Sequence, residues 1–183
     1  MSNLTAPFEL KDIEPLKSGQ FVLLSGTIYM ARDAAHIRFS EALKAGNPLP
    51  FDPEGQVIYY AGPSPAKPGH TIGSCGPTTA SRMDPFAPML IERGLRGMIG
   101  KGKRAQPVLD AMKKHKCIYL GGIEGTAALI SHKIESMEVI AYPDLGPEAL
   151  FRLRVKEMPL FVINDLHGGD LYLEGQKAYR CSE

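Results

Sequence analysis

Short apolar, β-branched runs alternate along this chain with stretches of helical spacing, and that alternation limits the fold more than any other feature of the sequence. Strand patterns are read near residues 20–29, 56–61, 97–100, 117–121, 137–142 and 160–164, and helical patterns at 32–45, 78–93, 104–115 and about 124–133. Strands interleaved with helices in this way predict a mixed α/β domain. Neither a linker nor a repeat divides the sequence, so residues 1–183 are expected to form a single domain. With 183 residues and 44% hydrophobic content, the chain can bury roughly 70% of its unfolded surface without disulfide or metal staples.

Proline and glycine mark where the chain leaves these elements. The segment Gly62-Pro63-Ser64-Pro65-Ala66-Lys67-Pro68-Gly69 is too rich in proline for strand or helix and reads as a loop feeding the stretch Gly73 to Asp84. In that stretch, Gly76-Pro77 is followed by Thr78 and Arg82. Pro77 suits the first turn of a helix, where Ser74 or Thr78 would cap the orphan N–H groups. Thr78 and Arg82 would then stand one turn apart on one face, and a carboxylate docked there would meet N–H donors and a guanidinium fork together. Two further segments share this anion-binding character. In Ser25 to His36, Asp33 is placed to cap the following helix, and Arg32 opposes the helix dipole unless an anion lies nearby. In Gly100-Lys101-Gly102, the flanking glycines allow a ligand close to the backbone beside the Lys101 ammonium.

Each of these residues also has a plainer reading. Thr78 as a capping hydroxyl, Arg32 and Arg82 as surface charges, and His36 as a helix-packing group all need no ligand. Asp33 and Asp84 read as orienters of the arginines next to them. Gly121-Gly122 and Gly125-Thr126 either line a site or let a strand turn tightly into a helix.

Charge and motif content exclude several function classes. There are 21 basic and 20 acidic residues for a net charge of +1, with no long basic run, so nucleic acid is not an expected partner. The sequence contains no apolar stretch of membrane-spanning length, and Met1-Ser2-Asn3-Leu4 does not open a secretory signal, so a cytoplasmic location is expected. Gly100-Lys101 is followed by glycine where a phosphate-binding loop needs Ser or Thr, and Gly121-Gly122-Ile123-Glu124-Gly125 lacks dinucleotide-fingerprint spacing. Cys75, Cys117 and Cys181 are widely spaced and form no C-x-x-C pair, which argues against a disulfide framework or a zinc site, and His70, His115, His132 and His167 show no ligand spacing.

Taken in order, SGTIYMARDAAH at 25–36, GSCGPTTASRMD at 73–84, GKG at 100–102, YLGGIEGTAAL at 119–129 and AYPDLGPEAL at 141–150, with the later INDLHGGDLY, resemble the class I, iron-sulfur fumarases and tartrate dehydratases. The resemblance is to their beta subunit, or to the equivalent C-terminal domain of single-chain members, and spans nearly the whole chain. It implies a swivelling β/β/α type of domain with a mixed sheet. It further implies reversible hydration of a four-carbon dicarboxylate, with fumarate and L-malate as the leading pair and tartrate or a methyl-substituted acid as alternatives.

By that resemblance, Arg32, Arg82 and Lys101 hold substrate carboxylates and Thr78 abstracts the proton, with Gly76 also against substrate and Asp33, His36 and Asp84 behind them. A [4Fe-4S] cluster would be bound by a partner alpha subunit and not by this chain's cysteines. The active site would then be shared, in an assembly of two alpha and two beta chains. A carboxylate-binding module without catalysis is the reading from another class.

Overall fold

Period-two alternation builds the centre of the molecule, for which the computed structural model describes residues 2–122 and 127–180. Seven strands form one mixed sheet: β1 (Ser2–Ala6), β2 (Phe21–Met30), β3 (Val57–Tyr59), β4 (Gly97–Gly100), β5 (Ile118–Gly121), β6 (Ile134–Ala141) and β7 (Leu150–Asn164). Their order is β1-β2-β3-β4-β5-β7-β6, and an additional pairing of β2 with β7 closes β2, β3, β4, β5 and β7 into a ring. Within it β2 to β5 run parallel, and β7 returns antiparallel against both β2 and β5.

The ring strands β3, β4 and β5 are buried on both faces and apolar on both, as strands covered on both sides must be. Val57 and Tyr59 join one hydrophobic cluster with Ile99, Ile118, Leu120, Leu160 and Val162 from the neighbouring strands, and this set fills the ring. The alternate residues Ile58, Tyr60, Met98, Tyr119 and Ile163 join a second cluster with helices. The helices are α1 (Leu10–Ile13), α2 (Asp33–Lys44), α3 (Ala87–Ile91), α4 (Gln106–His115), α5 (Ala127–Ser131) and α6 (Leu171–Tyr179); α2, α3, α4 and α6 pack on this second cluster, whereas Ile13 of α1 and Ile130 of α5 join the first. In α4, Val108, Ala111 and Met112 bury one stripe, Pro107 sits in the first turn, and the basic residues Lys113, Lys114 and His115 stand in the last, where positive charge is favoured by the dipole. Val108 and Met112, taken out of water, contribute about 1.5–3 kcal/mol each, and the Ala111 methyl less.

The strand β2 has two partners along one edge, β1 against residues 22–26 and β3 against residues 29–30. Gly26 makes the change possible. Its φ is +107°, and a β-carbon there would lie 2.3 Å from the Ala6 carbonyl oxygen at the end of β1.

Three local expectations are overturned. The helix expected over 78–93 is a 3-10 turn, Ala80–Met83, followed by the separate α3. Pro77 bridges Ala61 and Thr79 bridges Lys101, so this stretch is extended where a helix start was expected. The reason is that the Thr78 N–H donates to the Tyr60 carbonyl at 2.7 Å, continuing the pairing off β3. Nor does Thr78 or Ser74 cap a helix, because the residue before the 3-10 turn is Thr79 and its side chain makes no capping bond. Similarly, Asp33 is the first residue of α2, the preceding Arg32 occupies the cap position without a side-chain bond, and the Asp33 carboxylate is used elsewhere. The strand patterns at 137–142 and 160–164 belong to longer strands, β6 and the end of β7, while β1, α1 and α6 were not anticipated.

Candidate functional site

Parallel strands deliver their carboxyl ends to one end of a sheet, and in α/β sheets ligand crevices form there. Three of the candidate segments leave from that end. Arg32 follows β2, Gly62 follows β3, and Lys101 follows β4. The extended stretch 77–79 lies across them. Its Thr78 carbonyl accepts the Lys101 N–H at 3.1 Å, and the Lys101 carbonyl accepts the Ala80 N–H at 2.8 Å. Thr78 and Lys101 are thus tied backbone to backbone, a relation that sequence spacing could not reveal.

The two arginines reach the same rim and are held by different carboxylates. The guanidinium of Arg82, leaving the 3-10 turn, pairs with Asp33 of α2. Arg32 lies 3.4 Å from the Glu148 carboxylate, whose second oxygen accepts the Ala34 N–H at 3.3 Å. Gly62 lets Arg32 lie flat on the loop, since a β-carbon at that position would stand 2.9 Å from Nη1. Both arginines keep part of their surface in solvent, 22% for the Arg32 side chain and 48% for Arg82. Gly76 is turned to another neighbour: a β-carbon there would meet Ala127 of α5 at 3.0 Å.

Asp84 does not orient Arg82, the arginine nearest it in sequence. Its Oδ1 accepts from Arg104 Nε at 2.7 Å and its Oδ2 from the Ala105 N–H at 2.8 Å. Asp33 likewise serves Arg82 and not its neighbour Arg32. His36 is fully buried among Phe39, Tyr60 and Phe86, and burial drives its imidazole down to about 4. Neutral at pH 7, it donates its Nδ1 proton to the Arg32 carbonyl at 2.8 Å, which makes it a support under Arg32 and no general base.

Cys75 and Cys117 do not suit cluster ligation. Both are buried in different hydrophobic clusters, and burial pushes each thiol up to about 12, far from the thiolate that binds iron. Among the described residues, no group of three His, Cys, Asp or Glu side chains is placed to hold a metal ion. Cys181, Gly125 and Thr126 lie outside the described residues. A cavity of about 240 Å³ bordered by Gln106, Asp110, Lys113, Asn164 and Asp170 contains none of the rim residues.

The family to which the motif order points is also the one that comparison with known proteins finds. The family model described as Fumarase C-terminus matches residues 2–175. The chain belongs to that family. It is 42% identical over 162 residues to the aerobic class I fumarate hydratase of Escherichia coli strain K12, covering 86% of this chain and 30% of that protein. It is 40% identical over 156 residues to fumarate hydratase 2 of Leishmania major, covering 84% of this chain and 28% of that protein. With the beta subunit of the L(+)-tartrate dehydratase of Escherichia coli strain K12 it shares 34% over 181 residues, covering 96% of this chain and 89% of that subunit. The chain therefore spans about a third or less of the fumarate hydratases it matches, and nearly all of a tartrate dehydratase beta subunit.

Two residues of this Fumarase C-terminus member escaped sequence reasoning. Glu148 had a usable signal, since it lies in the AYPDLGPEAL motif. Arg104 had none, because an arginine just before a helix reads as a surface charge.

Proposed function

We propose that this chain is the beta half of a hydro-lyase that interconverts fumarate and L-malate, completed by an alpha chain that is either a separate subunit or another part of the same polypeptide. The observation that carries this reading is the gathering of Arg32, Thr78, Arg82 and Lys101 on one rim at the carboxyl ends of the parallel strands.

Malate dehydration removes a proton from C3 and hydroxide from C2. As the C3–H bond breaks, its electron pair spreads into the adjacent carboxylate, and the C2–O bond then breaks to leave the double bond. Arg32, Arg82 and Lys101 provide the charge that holds both carboxylates and stabilises the doubly negative one. Thr78 is the proton acceptor in this reading. A threonine hydroxyl is a weak base, so a carboxylate from the alpha chain takes its proton before it acts. A [4Fe-4S] cluster, which the alpha chain and not the buried Cys75 and Cys117 would hold, would supply Lewis acidity toward the leaving hydroxyl. On this side of the interface the chain binds, orients and accepts the proton.

Higher identity to the fumarate hydratases favours fumarate over tartrate, and the same cations accommodate either acid. The test is anaerobic assembly of the full chain with its alpha partner, in a two-plus-two complex or otherwise, followed by assays of malate and tartrate dehydration on wild type and Arg82→Ala. Malate turnover that Arg82→Ala abolishes supports the proposal. Tartrate turnover alone reassigns the substrate, and an iron-bearing complex inert toward both acids refutes the reading.

A further inference from the structure

Arg104 is, among the described residues, the one lysine or arginine that is buried. Its side chain is 0% exposed. Burying a guanidinium costs several kcal/mol before compensation, and a core that needs only stability does as well or better with apolar residues. The surroundings explain its retention differently. Nε donates to Asp84 at 2.7 Å, and the guanidinium carbon lies over the rings of Tyr60 and Tyr119 at 5.3 and 5.2 Å.

Each of those three partners leads to a different rim residue. Asp84 closes the 3-10 turn that carries Arg82. Through its carbonyl, Tyr60 holds the Thr78 N–H. The Tyr119 hydroxyl donates to the Gly102 carbonyl at 3.0 Å, directly after Lys101. Three segments far apart in sequence therefore meet on one side chain whose planar fork and ring contacts fix its own orientation.

We infer that Arg104, braced by Asp84, Tyr60 and Tyr119, is a positioning residue that fixes the placement of Thr78, Arg82 and Lys101 relative to one another without touching substrate. The inference rests on the proposed hydro-lyase reading for its consequence in turnover, and on geometry alone for the placement itself. Misplacing reacting groups by about an ångström costs on the order of 100-fold in rate, whereas replacing both members of a buried ion pair can leave stability unchanged.

The test uses the full chain carrying Arg104→Met with Asp84→Asn, the asparagine keeping an acceptor for the Ala105 N–H, and in parallel Arg104→Lys, which keeps the charge and loses the fork. Two quantities are read: amide hydrogen exchange in the free chain, and kcat and KM for malate in the complex with the alpha partner. The expected result for either variant is faster exchange at Thr78 and Lys101, with the β2 amides of residues 22–24 protected as in wild type, together with a kcat lowered at least about 30-fold. If the double variant does not fold, Arg104→Lys decides by the same two measurements. Unchanged protection at Thr78 and Lys101, protection lost uniformly, or kcat within about twofold of wild type overturns the inference. A wild-type complex without turnover refutes the hydro-lyase reading instead, and the exchange pattern then decides the placement alone.

Discussion

Asp33 accepts from Arg82, 49 residues away in the chain, and leaves its own neighbour Arg32 to Glu148. The pair joins α2 to the 3-10 turn at the rim, where half the Arg82 side chain meets solvent. Exposed pairs of this kind contribute about 0–1 kcal/mol. Arg82→Ala is therefore expected to shift the urea unfolding free energy by less than about 1 kcal/mol, and to lower kcat/KM of the assembled enzyme at least about 100-fold. A stability loss of several kcal/mol would make the pair a structural one.

Thr78 separates its backbone role from its side-chain role cleanly. The N–H bond to Tyr60 and the carbonyl bond from Lys101 use only backbone atoms, so a side-chain substitution that keeps the N–H leaves both in place. Thr78→Val keeps the shape and removes the hydroxyl, so it is expected to bind malate while kcat falls on the order of 1000-fold, with Thr78→Ser retaining a measurable part. Equal turnover in the Val variant would remove the hydroxyl from the mechanism.

Gly62→Ala tests the placement of Arg32 without altering any charge. The new methyl would lie 2.9 Å from Arg32 Nη1 and 3.0 Å from Cδ, and a flexible side chain gives way before the loop does. A KM for malate raised about 10-fold with little change in thermal midpoint is the expected outcome. An unchanged KM would mean that Arg32 does not set substrate affinity.

The cysteines provide a separate check on where iron is held. Cys75 and Cys117 are buried with thiols pushed up to about 12. Cys75→Ala and Cys117→Ala are expected to cost about 1–2 kcal/mol in packing while the iron content of the assembled complex stays at the wild-type value. Iron lost from either variant while it still assembles would place a ligand in this chain.

What the sequence made legible follows from the range of each interaction. Val57 to Tyr59, Met98-Ile99 and Ile118 to Leu120 announce buried strands because apolar residues fill both faces. The first half of β7 also carried a signal, since Arg152, Arg154 and Lys156 face solvent while Leu153 and Val155 are buried, a strict period of two. Closure of the ring was beyond reach, because the β2 to β7 pairing of Phe21 with Phe161 and Met30 with Phe151 leaves no local trace. At the rim, residue types pointed to anion chemistry by motif, yet Gly76-Pro77-Thr78 imitated a helix start. The bond from Thr78 to Tyr60 that prevents it is tertiary. The same limit hid Arg104, whose burial depends on Tyr60, just past the end of β3, and Tyr119 of β5.

His36 gives the fold a dependence on pH with a definite sign. Burial lowers the imidazole to about 4, while in the unfolded chain it titrates near its ordinary 6.5. Between those two values the unfolded state binds a proton that the folded state does not. Stability from this group is therefore complete above about pH 6.5 and is lost as the pH falls toward 4, by roughly 3 kcal/mol in all. The variant for the test is His36→Phe. The ring would pack among Phe39, Tyr60 and Phe86, and the Arg32 carbonyl would still accept from the backbone N–H of residue 36 at 3.0 Å. Urea unfolding of both proteins at pH 6.5 and pH 5 should show wild type losing about 2 kcal/mol more than the variant, whatever the carboxylates contribute to both. Parallel losses would mean that the buried imidazole takes up its proton without unfolding, and that Arg32 rests on a support that can be charged.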